Sequence, residues 1–323
     1  MYSIPSFWAT NPAPQMMAAI SSRPSARSVA DFIRSPSSVG HRRFDTLFAM
    51  LPLWEIFALL GLGLCAGSLG GLIGIGGGVI TIPVLSILFG KDIHLAQAAS
   101  MNVVVFVAVP AAIRHLKQGE LPRGLLKYII PFGVIGIIVG VFSSNHIPDD
   151  EMMLIFGIFL LYVIVVNILK LLGRKRETTH DEAKISIGRG ASVGTAAGFG
   201  AGLLGIGGGL ITVPLAQHIC RLTLPHAIAI SSGLMCFTSV IGAVVKNATL
   251  HTITDNASGE TLRLAEAFQI ALWIFPTAII GAWMGARLTH VLPVKWIRVV
   301  FVIVLMIGAA KMLWSSVPEL IAL

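Results

Sequence analysis

Ten residues, Gly74-Ile-Gly-Gly-Gly-Val-Ile-Thr-Ile-Pro83, return 131 positions later as Gly205-Ile-Gly-Gly-Gly-Leu-Ile-Thr-Val-Pro214, so the chain is one unit written twice. Ile93 to Ser100 keeps the same register against Leu224 to Ser231. Beyond that the offset becomes 145, setting Pro131 on Pro276, Gly136 and Gly140 on Gly281 and Gly285, and Ile147-Pro148 on Leu292-Pro293. The second copy is therefore 14 residues longer, and the polar stretch between Thr249 and Leu262 is where the insertion fits. Any fold must be assembled from two related halves, the build of many secondary transporters.

Those halves are hydrophobic. Only 12% of the 323 residues are charged and 55% are hydrophobic, with a mean hydropathy of +0.85, which excludes a water-soluble globule. Uninterrupted apolar runs long enough to cross a bilayer are Leu95 to Ile113, Leu125 to Phe142, Met152 to Leu172, Ala227 to Val245, Ala267 to Ala286 and Ile297 to Leu313. Two longer stretches, Ile56 to Phe89 and Ala191 to Ile219, are each interrupted by the GIGGG run. They exceed the roughly 20 residues a helix needs, so each is expected to contain a broken or re-entrant segment.

The net charge of +8 does not require a nucleic-acid partner, because Lys and Arg mark the cytoplasmic side of a membrane protein. With the N-terminus inside and one net crossing per broken stretch, 18 of the 23 basic residues fall inside. Two crossings per stretch give nine inside and 14 outside, against the positive-inside rule. The expected fold is therefore an all-α polytopic membrane protein with about eight net crossings and up to ten hydrophobic helices. Four crossings per half would make the repeats parallel, and five would make them inverted.

The organisation reads as an extension over residues 1–50, a first transmembrane repeat over 53–173, a cytosolic linker over 174–189 and a second repeat over 190–315. The first 50 residues hold nine Ser, five Pro, five Arg and no Lys, a composition that reads as disordered or as the product of a start placed upstream of Met50. Cys65, Cys220 and Cys236 form no CxxC pair and suggest no disulfide framework.

The repeated motif carries the functional signal. A GIGGG run is a poor helix former, and backbone left unpaired in a bilayer survives only beside protein or a water-filled cavity. If the chain breaks at Gly76 to Gly78 and restarts through Thr81, the new helix N-terminus offers N–H groups and partial positive charge to an anion. Gly207 to Gly209 with Thr212 would offer the same, the two elements facing each other near the midplane, with Pro83 and Pro214 as first-turn or kink residues. Close helix packing is the alternative role for small residues, and it suits the GxxxG pairs Gly136 with Gly140 and Gly281 with Gly285.

In each half the following helix opens on small polar residues, Ser100, Met101 and Asn102 in the first and Ser231, Ser232 and Gly233 in the second. Hydroxyls and an amide can donate to an oxyanion, or bond back to their own helix carbonyls; both readings stand. Ionisable residues are scarce in the helix centres, and Glu55, Arg114, His115, Lys246 and Glu266 lie near helix ends, where snorkelling accounts for them. His94 and His226 read as interfacial. Gly200-Ala-Gly202-Leu-Leu-Gly205 has no strand before it and no acidic residue about 20 positions on, so it is not a dinucleotide site, and no phosphate-binding GxxxxGK[ST] occurs. Asn247-Ala-Thr249 and Asn256-Ala-Ser258 match the glycosylation pattern in a loop expected inside.

Paired GxGGGxxxxP motifs in an apolar chain of two halves resemble the TauE/SafE family of sulfite exporter-like permeases. The likeness covers about Leu53 to Leu313 and rests on Gly74, Gly76, Gly77, Gly78 and Pro83, then Gly205, Gly207, Gly208, Gly209 and Pro214. It implies movement of sulfite, an organosulfonate or a related small sulfur anion across the cytoplasmic membrane of a bacterium by a multi-pass permease. Besides that anion, the implied partners are the lipid bilayer and a coupled proton or other ion, with no nucleic acid and no cofactor. The competing readings are an anion channel and a membrane scaffold subunit without transport activity. An enzyme is disfavoured, since no nucleophile with a base and no paired carboxylates mark the apolar body.

Overall fold

The computed structural model describes residues 51–73, 76–117, 123–172, 186–253, 261–288 and 294–321. The expectations for residues 1–50 and for most of the 174–189 linker concern residues outside these ranges.

Ten α-helices make up the described chain. In order they are α1 (Leu53–Ile73), α2 (Gly78–Leu88), α3 (Ile93–Lys117), α4 (Arg123–Asn145), α5 (Asp149–Leu171), α6 (Ile187–Leu204), α7 (Gly209–Ile219), α8 (Leu224–Thr249), α9 (Leu264–Leu288) and α10 (Val294–Ile321). Seven are long and apolar enough to cross a membrane, while α2 and α7 are short apolar helices of 11 residues. Local sequence sets the boundaries. Asp92 caps α3 by accepting from the N–H groups of His94 and Leu95 at 2.7 and 3.2 Å. Asp149, Asp150 and Glu151 occupy the first turn of α5, where the helix dipole favours carboxylates. Ser186 caps α6, and Pro225 in the first turn opens α8.

Each broken stretch turns back on itself. The start of α2 lies against α1, since a Cβ added at Gly77 would sit 2.9 Å from the carbonyl oxygen of Ala66. The far end of α2 returns to where α1 began, and there Lys91 pairs with Glu55 at 3.8 Å and with Glu266 at 2.9 Å. In the second half Gly208 abuts Ala201 and Ala197 of α6 in the same way, and Cys220, after α7, shares a core with Val193 near the start of α6. The expectation of one net crossing per broken stretch is therefore corrected: α1 with α2, and α6 with α7, each begin and end on one side. The physical reason is the pair of left-handed glycines, which reverse the chain within a few residues.

The returns leave five helices per half, with the two halves entering from opposite sides. Among the described residues, the side where α1 starts then collects four Lys and Arg and the opposite side ten. The positive-inside rule puts the start of α1 outside, the reverse of the orientation expected above. The N-termini of α1, α3, α5 and α9 and the C-termini of α4 and α8 meet at this outer end, joined by the Lys91 pairs and by the bond between His94 and Ile147. Trp54 and Trp314 are exposed near the same end, as interfacial aromatics are. Ile135, Val165, Leu272 and Ile307 are among the exposed apolar side chains that a bilayer would cover.

Glycines fix how the halves interlock. A Cβ on Gly67 of α1 would lie 2.2 Å from the carbonyl oxygen of Ala278 in α9, and one on Gly198 of α6 would lie 2.2 Å from that of Gly133 in α4. Gly136 and Gly140 touch Thr195 and Phe199 on α6, while Gly281 and Gly285 touch Leu64 and Ser68 on α1. These contacts repeat at the offsets of 131 and 145 read from the sequence. The GxxxG pairs are thus packing devices that bring each half's first helix against the other half's fourth. The connection from α8 to α9, where the sequence offsets put the 14 additional residues, is closed by the bond from Leu262 N to Ile253 O at 3.0 Å.

Candidate functional site

The two glycine elements meet at the centre of the helix bundle. Gly76 and Gly77 have φ of 81° and 76°, and Gly207 and Gly208 have 75° and 91°, a left-handed run that a side chain would strain. Gly77 and Gly208 are the N-caps of α2 and α7. Gly205, at φ 73°, ends α6, while Gly74 lies outside the described residues. A Cβ on Gly76 would lie 2.4 Å from Met235 Cε and one on Gly207 would lie 2.6 Å from Val104 Cγ1. Val104 of α3 and Met235 of α8 are repeat partners and are buried, so they form an apolar plug between the two elements.

Around this plug the proposed donors separate into distinct roles. Thr81 and Thr212, both buried, turn their hydroxyls back on the helix, donating to Gly77 O at 3.3 Å and Gly208 O at 2.8 Å. Those carbonyls also accept the N–H of Thr81 and of Thr212. The N–H groups of Gly78 with Val79, and of Gly209 with Leu210, precede these bonds and have no carbonyl within their own helix to meet. Pro83 and Pro214 are sixth in α2 and α7, so the first-turn alternative gives way to an interior position.

Ser100 is fully buried and its Oγ has no hydrogen-bond partner among the described residues. It faces the start of α2, 2.7 Å from where a Cβ on Gly78 would be, with Ile206 of the other half 3.1 Å from the same point. Its repeat partner Ser231 is equally buried but donates to Gly209 O at 3.4 Å. Ser232 bonds back to Ala229 O at 2.8 Å. Asn102 stands apart from the glycine elements, paired with Asn247, whose Nδ2 donates to Asn102 Oδ1 at 2.7 Å. The structure thus gathers Gly76 to Gly78, Gly207 to Gly209, Ser100 and Ser231 at the centre, and leaves Asn102 and the Thr hydroxyls otherwise engaged.

Sequence reasoning missed a second polar centre. Lys246, expected to snorkel from a helix end, is fully buried. The correction has a topological cause: because α2 returns to the outer end, the start of α3 closes over the last turns of α8. His94 is likewise buried rather than interfacial, between Lys246 Nζ at 3.0 Å and Asp149 Oδ1 at 3.3 Å. No motif announces this cluster, since Lys246, His94 and Asp149 lie 55 to 152 positions apart.

Comparison with known proteins finds similarity to membrane transporters. The chain is 32% identical over 295 residues to the "Probable membrane transporter protein MamO" of Magnetospirillum gryphiswaldense, covering 80% of this chain and 45% of that protein. It is 27% identical over 281 residues to the "Probable membrane transporter protein YunE" of Bacillus subtilis, covering 80% of this chain and 97% of the relative. The chain therefore spans less than half the length of its MamO relative and nearly all of YunE. No solved structure matches it. Residues 59–312 match the family described as Sulfite exporter TauE/SafE, and this multi-pass chain, with its two glycine-broken hairpins, belongs to that family of membrane transporters.

Proposed function

We propose that the chain is a secondary transporter that moves a small oxyanion, sulfite, an organosulfonate or a related sulfur compound, across the cytoplasmic membrane, and that the anion binds between the starts of α2 and α7. One observation carries this reading: a fully buried Ser100 hydroxyl, without a hydrogen-bond partner among the described residues, faces the N-terminus of α2. A buried unsatisfied hydroxyl costs about 1–3 kcal/mol, a cost that a bound acceptor would remove. The neighbouring Gly78 and Val79 N–H groups and the helix dipole favour the same negative ligand. Gly at these positions lets backbone come within reach of the anion, and the Val104 and Met235 plug would keep the path closed until the helices shift. The family description supports sulfite as the first anion to try.

The test is uptake of radiolabelled sulfite, thiosulfate, sulfate and a short sulfonate by proteoliposomes carrying the wild type, Gly77→Val or Gly208→Val. Saturable flux of one anion, lost in both variants while folded protein is retained, is the expected result. Unchanged flux in the variants would remove the anion from the glycine elements. Flux that simply follows the membrane potential, without saturation or counterflow, would make the protein a channel.

A further inference from the structure

Lys246 sits on α8 of the second half, and its ammonium reaches into the first half. It donates to Asn145 Oδ1 at 2.8 Å, to Ser144 Oγ at 3.1 Å and to His94 Nδ1 at 3.0 Å, so all three of its protons are engaged. Because His94 Nδ1 accepts, the neutral imidazole carries its own proton on Nε2, which faces Ile147 O at 3.1 Å and Asp149 Oδ1 at 3.3 Å. Exposure falls along this line: the Asp149 side chain is 13% exposed, that of His94 2%, and Lys246 is wholly enclosed.

The line continues inward. Ser144 Oγ donates to Gln97 Oε1 at 2.9 Å, and Gln97 Nε2 donates to Leu203 O at 3.2 Å. Gln97 also packs on Gly205, where an added Cβ would come within 2.7 Å of its side chain. Leu203 lies in the last turn of α6 and Gly205 caps it, so a continuous set of hydrogen bonds runs from the outer rim to Leu203 O, two residues before the second glycine element.

An ionisable residue enclosed in a membrane helix is a functional candidate by default. Resting on the transporter reading above, we propose that Lys246, His94 and Asp149 form a proton-binding site that couples proton movement to transport. In unloading, Lys246 Nζ gives a proton to His94 Nδ1 while His94 Nε2 gives its proton to Asp149 Oδ1. The lysine becomes a neutral amine, the imidazole changes tautomer without changing charge, and the carboxylate becomes an acid that releases the proton to water at the rim. Loading is the reverse. The amine can still donate to Ser144 and Asn145 and now accepts from His94 Nδ1, while Nε2, once deprotonated, gives up its bond to Ile147 O and, after the proton has left, its bond to Asp149. What changes is the charge that Asp92 and Asp149 offset, and with it the attraction holding α8 to the first half.

The charged surroundings are few. Asp92 caps α3 beside the site, and its Oδ2 is buried without a hydrogen-bond partner among the described residues. From α5 and the turn before it, Asp150 is half-buried and Glu151 and His146 are exposed. His251 and Arg263, on the connection after α8, are exposed. Lys91 is held by Glu266 and Glu55.

Two measurements test the site on the full chain reconstituted in liposomes. The first needs no substrate: infrared difference spectra between acidic and alkaline pH, where the protonated-carboxyl signal of Asp149 is expected in the wild type, absent in Asp149→Asn and displaced in His94→Gln. Superimposable spectra from all three proteins would overturn the proposal. The second uses sulfite under an imposed pH gradient. Lys246→Gln is expected to reduce gradient-driven accumulation to the level of protein-free vesicles while sulfite counterflow persists, and Lys246→Arg to keep the charge but also lose accumulation. A Lys246→Gln protein that still accumulates sulfite down the proton gradient would sink the coupling role. If the wild type carries no sulfite, the substrate reading fails, and the infrared result still decides the proton site.

Discussion

Laid on each other at the two offsets, the halves agree where glycine meets backbone and disagree where polar side chains are buried. Gly67 and Gly198 meet the same kind of carbonyl at the same 2.2 Å, and Gly63 and Gly194 approach α9 and α4 in matching fashion. Opposite His94, Gln97 and Asp149, however, the sequence has Pro225, Ile228 and Val294. Among the described residues Ser100 has no hydrogen-bond partner while Ser231 has one. Two-fold packing needs identical small residues, since a backbone contact tolerates no side chain on either copy. Directional chemistry does not, because a carrier must tell its two faces apart. The duplicated positions therefore build the frame, and the unduplicated ones give the molecule an outer end.

The comparison is broken most severely at Lys246. Lys246→Met should destabilise the protein by about 3–5 kcal/mol, since it leaves buried partners of a charged group unmatched. Thermal unfolding in detergent would show it, and an unchanged midpoint would mean that Lys246 is not enclosed. On the symmetric side, Gly67→Ala and Gly198→Ala should each cost about 1–3 kcal/mol through overpacking against backbone. What matters there is equality: a large loss in one half and none in the other would show that the frame is not two-fold.

Much of that frame was legible in the sequence. The repeat, the break at the glycines and the packing role of Gly136, Gly140, Gly281 and Gly285 all follow from local residue chemistry and a fixed offset. The return of α2 and α7 was not legible, because an overlong apolar stretch has the same composition whether it crosses or doubles back. That ambiguity reversed the expected orientation and hid the outer cluster. Lys246 near a helix end looks like any snorkelling lysine until the start of α3, 152 positions away, is known to cover it. At the candidate anion site, the sequence singled out Ser100 and Ser231 as equals; only the surrounding contacts separate them.

That separation makes a sharper, smaller test. Ser100→Ala should leave stability unchanged or raise it by about 1 kcal/mol, since it removes an unsatisfied buried hydroxyl, yet it should weaken anion transport. Ser231→Ala, which loses only a 3.4 Å bond to Gly209 O, should change both less. Measuring unfolding and the concentration dependence of sulfite uptake on both variants would reverse the assignment if Ser231→Ala had the larger transport defect.

The smallest effect belongs to the amide pair that ties α3 to α8. Asn102 and Asn247 bond in both directions, with Asn247 Nδ2 to Asn102 Oδ1 at 2.7 Å and Asn102 Nδ2 to Asn247 Oδ1 at 3.5 Å. The repeat aligns Gly233, not a second Asn, with Asn102, so this contact also belongs to one end alone. A double-mutant cycle over Asn102→Ala and Asn247→Ala should return a coupling of about 0.6 kcal/mol, and at most about 1.7, as measured for hydrogen bonds between membrane helices. Additive losses would mean that each amide has another partner. A coupling within that range would make the pair a weak fastening beside Lys246, strong enough to hold register between α3 and α8 and weak enough to yield when the lysine changes charge.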